Sequence, residues 1–114
     1  MNKQYALIGY PLGHSFSPQI HKELFTLSGI YADYKKLTLD SDAFMKRENW
    51  IHDLAGFNVT IPFKEKIIPF LDMLDPTAQR YQSVNVVSCG EKNIGYNTDV
   101  DGFLHTMQHN KINL

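Results

Sequence analysis

Cysteine is nearly absent: Cys89 is the only one in 114 residues. No disulfide can form within the chain, and no cysteine-rich zinc site can be built. That usage suits a reducing compartment, so a cytoplasmic location is expected. An excess of either charge is lacking as well. Eleven Lys and Arg stand against twelve Asp and Glu, a formal net charge of −1, which offers no broad field to nucleic acid or to an anionic membrane surface. No apolar run approaches the ~18 residues of a membrane span, and the first residues lack the basic-then-apolar pattern of a signal peptide. Repeats, low-complexity tracts and flexible linkers are also missing. What is present is 43% hydrophobic residues over a length typical of one domain, enough to bury a single core without staples.

Strand and helix signals alternate along the chain. Tyr5 to Gly9 is a short apolar run closed by Pro11 and Gly13, the pattern of a buried strand. Ser17 can cap a helix with Pro18 at its first position, and Ile20, Leu24 and Leu27 give that helix an apolar stripe before it stops at Gly29. Tyr31 to Leu39 reads as a half-exposed strand. Asp40 or Ser41 can cap a helix running to about Leu54, although Arg47 and Glu48 interrupt its stripe. Gly56 to Ile61 is a third strand, and a helix from about Phe63 must break or kink at Pro69. Asp75-Pro76 starts a short helix to about Tyr81. Ser83–Ser88 and Ile94–Asn97 are close enough to pair as a hairpin. Thr98 can cap a last helix, with Asp101 imitating a capping box. Helices between the early strands predict parallel pairing there, and the late hairpin makes the sheet mixed.

Polar residues gather where these strands meet the following segments, the edge at which open α/β sheets hold ligands. The segments are His14 to Ser17, Asn58 to Thr60 leading into Lys64, Val84 to Val86, and Asn97 to Asp99. Taken singly, each has an ordinary explanation: Ser17 and Thr98 as helix caps, Asn58 and Thr60 as a solvent face, Lys64 as a surface lysine. Asn85, inside an apolar stretch, is harder to explain so, because a buried amide must find several partners. Jointly, hydroxyls, amides, one ammonium and one carboxylate suit a small polyhydroxylated acid. His105 and His109, at i and i+4, lack the glutamate of a zinc helix, so no metal site is expected. The Gly9-to-Gly13 spacing is not that of a dinucleotide-binding turn.

The stretches GYPLGHSFSPQIH, GFNVTIPFKEKIIPFLDMLDPTAQ, SVNVV and IGYNTDVDGF span residues 8 to 103. In order and spacing they resemble the substrate-binding half of shikimate dehydrogenases. The resemblance implies an α/β fold in three layers, with a mixed, mostly parallel six-stranded sheet flanked by helices and carrying a late β-hairpin. It implies that Ser15 and Ser17 hold the carboxylate of shikimate. Asn58, Thr60, Asn85 and Asp99 would bind ring hydroxyls, and Lys64 and Asp99 would flank the carbon that is oxidised and reduced. Chemically such a pair is apt: hydride added to a carbonyl leaves an alkoxide, which a positioned ammonium can stabilise and protonate.

Two positions depart from the family pattern: Val86 stands where threonine is common, and Ser83 where a small apolar residue is usual. Residues 1–114 are thus expected to form the substrate-binding domain. The NADP-binding domain, with its glycine-rich turn, is expected to lie outside this chain as its partner, so the chain alone should not turn over. The rival readings are a stand-alone shikimate-binding or regulatory module without catalysis, and a quinate/shikimate paralogue.

Overall fold

The computed structural model describes residues 3–12 and 32–100. Strand β1, Lys3–Gly9, has Ala6, Leu7 and Ile8 all buried. A strand covered on both faces reads as a continuous apolar run rather than an alternation, and β1 lies between two parallel neighbours. On one side it pairs with β2, Ala32–Thr38, and on the other with β3, Gly56–Val59. β2 is an edge strand whose exposed Lys35 and Lys36 discourage further pairing. β5, Val86–Ser88, runs antiparallel to β3 and to β6, Ile94–Tyr96. The two-residue β4, Met73–Leu74, completes the sheet parallel to β6.

The order β2-β1-β3-β5-β6-β4 makes a six-stranded mixed sheet, with β5 alone reversed. The parallel pairing of the early strands and the late hairpin are as the sequence predicts. Chain periodicity reveals only five strands, because a strand of two residues is too short to show a period. The helix from Pro18 lies outside the described residues, and so does the course of the last helix beyond Val100.

Two expected helices are corrected. The helix from Asp40 is capped as predicted, with the Asp40 carboxylate accepting from Ala43 N at 2.8 Å. It spans only Ser41–Met45, however, and a 3₁₀ turn at Arg47–Asn49 follows. Tertiary contacts account for the break. The Arg47 guanidinium donates to the Phe70 carbonyl at 2.9 Å and lies over the Phe70 ring, while Trp50 Nε1 donates to the Phe44 carbonyl at 3.2 Å. A continuous helix would carry Arg47 and Trp50 around the axis and away from both partners. The second correction is the segment after Phe63, which forms turns and then a 3₁₀ helix at Ile68–Phe70 containing Pro69. Proline offers no amide hydrogen for a longer helix. By contrast, Asp75 caps Pro76–Tyr81 as its sequence indicates, accepting from Ala78 N at 2.8 Å.

One cluster forms the core, and Phe44, Phe63, Ile8, Ile67, Val84 and Val87 are its largest fully buried side chains. Phe44 and Phe63 stack with centroids 4.0 Å apart and planes within 2°. Phe63 sits directly before Lys64, so this stack anchors the segment that carries the ammonium.

Candidate functional site

Two loops meet where β1 and β3 end. Thr60 N donates to the Ile8 carbonyl and Tyr10 N to the Ile61 carbonyl, each at 2.9 Å. Gly9 makes this approach possible. A Cβ there would lie 2.5 Å from Thr60 Cγ2, closer than real Cβ atoms come, and a tight 3.0 Å from the Ile61 carbonyl oxygen. The chain then turns, with Phe63 N donating to the Thr60 carbonyl at 3.0 Å, and presents Lys64.

Lys64 is tied at both ends. Its carbonyl accepts from Val84 N at 2.8 Å, and its Nζ donates to Asp99 Oδ2 at 2.8 Å. The two side chains are 35% and 60% exposed. An ion pair that open contributes little to stability, so the pairing is better understood as the placing of an ammonium and a carboxylate side by side at an accessible edge.

Asn85 sets that placement. Because β5 runs against β3 and β6, its beginning lies beside their ends. The sequence predicts Asn85 within a strand from Ser83 to Ser88, but the strand begins only at Val86, and Asn85 directly precedes it. Its carbonyl accepts from Val59 N at 2.8 Å and its N donates to the Tyr96 carbonyl at 3.0 Å. Asn85 Oδ1 accepts from Thr98 N and Nδ2 donates to Thr98 Oγ1, both at 2.9 Å. A backbone N–H can only donate, so the orientation of this amide is unambiguous. Thr98 is therefore not the helix cap. That role belongs to the buried Asn97, whose Oδ1 accepts from Val100 N and whose Nδ2 donates to the Ser83 carbonyl, both at 3.0 Å. With residue 97 capping and residue 98 clamped by Asn85, Asp99 is delivered to Lys64.

Asn58 and Thr60, half-buried, share the other side of this edge. Asn58 Oδ1 accepts from the Tyr34 hydroxyl at 2.8 Å. Lys64 is thus paired with Asp99 and Asn85 with Thr98, the two pairs being linked through the Thr98–Asp99 peptide, and Asn58 is joined to Tyr34. Ser15 and Ser17 lie outside the described residues, as do His105 and His109. The Tyr34 contact and the capping role of Asn97 are not foreseen by the sequence. A strand tyrosine and an asparagine before a cap-like threonine carry no local signal of these bonds.

A cavity of about 620 Å³ lies elsewhere, among residues that precede β3, β4 and β6 and follow β5, at the opposite end of the sheet. Arg47, His52, Asp72, Cys89 and Asn93 are among its lining residues. Burial pushes the Cys89 thiol from 9.0 up to about 11. At pH 8, alkylation by iodoacetamide should therefore run roughly 10–100-fold slower in the native chain than in the denatured chain, the smaller thiolate fraction outweighing the greater nucleophilicity of a higher-pKa thiolate. Because the folded value is the higher one, this contribution to stability is complete below pH 9 and declines as pH rises towards 11. Equal native and denatured labelling rates would contradict both statements. Among the described residues no group of three or more His, Cys, Asp or Glu could hold a metal ion.

Residues 7–87 match the family model described as the shikimate dehydrogenase substrate binding domain. The chain belongs to this family. Among its relatives, the shikimate dehydrogenase (NADP(+)) of Exiguobacterium sibiricum is 41% identical over 108 residues, covering 91% of this chain and 41% of that protein. This chain thus spans about two fifths of the length of the curated relatives it matches. Among solved structures, shikimate dehydrogenase 1 from Peptoclostridium difficile matches with a TM-score of 0.87 at 36% identity, over 98% of this chain and 42% of that one. Shikimate 5-dehydrogenase from Thermus thermophilus, solved in complex with NADP(H) and shikimate, matches with a TM-score of 0.85 at 32% identity, over 97% of this chain and 43% of that one. The mixed six-stranded α/β sheet is therefore the family's fold. Among the described residues no helix is long and apolar enough to cross a membrane.

Proposed function

We propose that this chain is the substrate-binding domain, over residues 1–114, of a cytoplasmic NADP-dependent shikimate dehydrogenase that interconverts 3-dehydroshikimate and shikimate on the route to aromatic amino acids. The observation that carries this reading is the Lys64–Asp99 contact of 2.8 Å, held at the ligand-binding edge of the sheet by the Asn85–Thr98 pair. The relatives' names support it.

In this reading Ser15 and Ser17 hold the carboxylate, and Asn58, Thr60, Asn85 and Asp99 bind ring hydroxyls. Lys64 and Asp99 face the reacting oxygen. NADP supplies or accepts a hydride when bound, but the described residues do not fit it. Gly9, in the first strand-to-loop turn, is occupied by the Thr60 and Ile61 contacts instead of opening a phosphate cradle. The cofactor is accordingly assigned to residues other than these. This chain contributes the proton. As the carbonyl carbon gains hydride, its oxygen takes up the electron pair of the C=O bond, and the Lys64 ammonium gives that oxygen a proton. In the oxidative direction neutral Lys64 takes the hydroxyl proton back. Asp99, acceptor-only when ionised, orients the ammonium and leaves its other hydrogens for the ligand.

Shikimate titrated into the ¹⁵N-labelled chain should produce saturable shifts at the amides of Asn58, Lys64, Asn85 and Asp99. Quinate should bind more weakly, and NADP should leave these amides unmoved. Absence of any shikimate response would refute the proposal. A stronger response to quinate would instead favour the quinate/shikimate reading.

A further inference from the structure

We propose that Tyr34 is a positioning residue of the substrate site: it sets the Asn58 amide so that the ligand meets an N–H donor there and not a carbonyl acceptor. The identity of the ligand in this inference rests on the reading above; the orientation of the amide does not.

The strand register makes the contact unusual. Tyr34 of β2 is opposite Tyr5 of β1, and Asn58 of β3 is opposite Leu7 of β1, so a whole strand separates the two residues and they are offset by two positions. Two inter-strand spacings and a two-residue offset put their Cα atoms roughly 11–12 Å apart. Only a long, rigid side chain with a polar tip can span that gap, and the Tyr34 hydroxyl does so, reaching Asn58 Oδ1 at 2.8 Å. Tyr34 is 3% exposed, so the phenol is held by packing, and the amide on the half-buried Asn58 adapts to it.

A carboxamide presents a carbonyl oxygen on one side and an NH₂ on the other. Once Oδ1 is turned to the Tyr34 hydroxyl, Nδ2 is the group left for a ligand. Asn85 shows the same device, since Oδ1 is committed to Thr98 N and Nδ2 keeps a second hydrogen after serving Thr98 Oγ1. At both amides a protein donor engages the oxygen, and hydrogens of the NH₂ remain for a ligand. Ligand oxygens are therefore accepted at these positions as acceptors, and Asp99 supplies the complementary acceptor.

The test uses the full chain with shikimate as probe. Tyr34→Phe keeps the ring and removes the hydroxyl; it should fold and weaken shikimate about three- to tenfold, the scale of one hydrogen bond. Asn58→Asp retains an acceptor for Tyr34 but presents an oxygen where Nδ2 stood, and it should weaken shikimate more than tenfold. Adding Tyr34→Phe to Asn58→Ala should cost nothing beyond Asn58→Ala alone, because the tyrosine acts only through the amide. A Tyr34→Phe loss that persists in the Asn58→Ala background would overturn the proposal, as would full affinity in Asn58→Asp. A ligand-free arm separates this inference from the function. The Asn58 side-chain NH₂ resonances should be single and sharp in the native chain and should shift or double in Tyr34→Phe. If shikimate does not bind at all, the functional reading falls and this arm still decides the role of Tyr34: unchanged resonances reject it.

Discussion

Lys64→Ala is expected to lower kcat about 10²–10⁴-fold while raising KM far less, the pattern of a positioned acid–base group whose main interaction is made in the transition state. The measurement is made on residues 1–114 joined to the remaining portion of the Exiguobacterium sibiricum shikimate dehydrogenase (NADP(+)). The expectation follows from geometry. The ammonium is 2.8 Å from Asp99, with its backbone tied to Val84, which stands next to Asn85 in the segment leading into β5. It is thus fixed beside a carboxylate, and in the proposed site it faces the oxygen on which charge would develop. Lys64→Arg should rescue little, because guanidinium keeps its proton at any working pH and its planar fork does not replace a compact ammonium. Ser15→Ala and Ser17→Ala remove hydroxyls assigned to the carboxylate, remote from the reacting carbon, and their losses should appear mainly in KM. If Lys64→Ala kept a near-normal kcat with a raised KM, Lys64 would be a binding residue and Asp99 the leading acid–base group.

Phe63→Ala is expected to destabilise the chain by about 3–5 kcal/mol, the usual cost of deleting a buried aromatic ring. Phe63 is fully buried and stacked on Phe44, which in turn contacts Trp50 and Phe70. Its loss opens a cavity at the centre of the aromatic cluster. Against a typical total of about 5–15 kcal/mol, that is a large share of the stability. It corresponds to a Tm drop of roughly 10–20 °C for a domain of this size. Phe63→Leu, which refills part of the volume, should cost clearly less. Urea denaturation of the three proteins measures this directly, and a Phe63→Ala loss below about 1 kcal/mol would show that the cluster repacks around the gap.

Alternation of elements was legible because it rests on local chemistry. The apolar run of β1, the Asp40 and Asp75 caps and the close-set late strands each act within a few residues. They led to a mixed α/β sheet with parallel early strands. The early end of the Asp40 helix at Met45 was not legible in the chain, since Arg47 and Trp50 are drawn to Phe70 and to the Phe44 carbonyl, and such partners have no local signature. β4 escaped because two residues cannot show a period.

The candidate site divides along the same line. Residue types and their clustering at strand ends singled out Lys64, Asn58, Thr60, Asn85 and Asp99 from the sequence, because hydroxyls, amides, one ammonium and one carboxylate gather there and an amide inside an apolar stretch, Asn85, calls for partners. Which side chain holds which was decided only by the fold. Lys64 and Asp99 are 35 positions apart and meet because β5 runs backwards between β3 and β6. That reversal brings the start of β5 to the ends of its neighbours and sets Asn85 against Thr98. The cap passes to Asn97, and Tyr34 reaches over an entire strand to Asn58. Local spacing can propose the groups, but their pairing and the direction each amide faces depend on strand order, which is a property of the sheet as a whole.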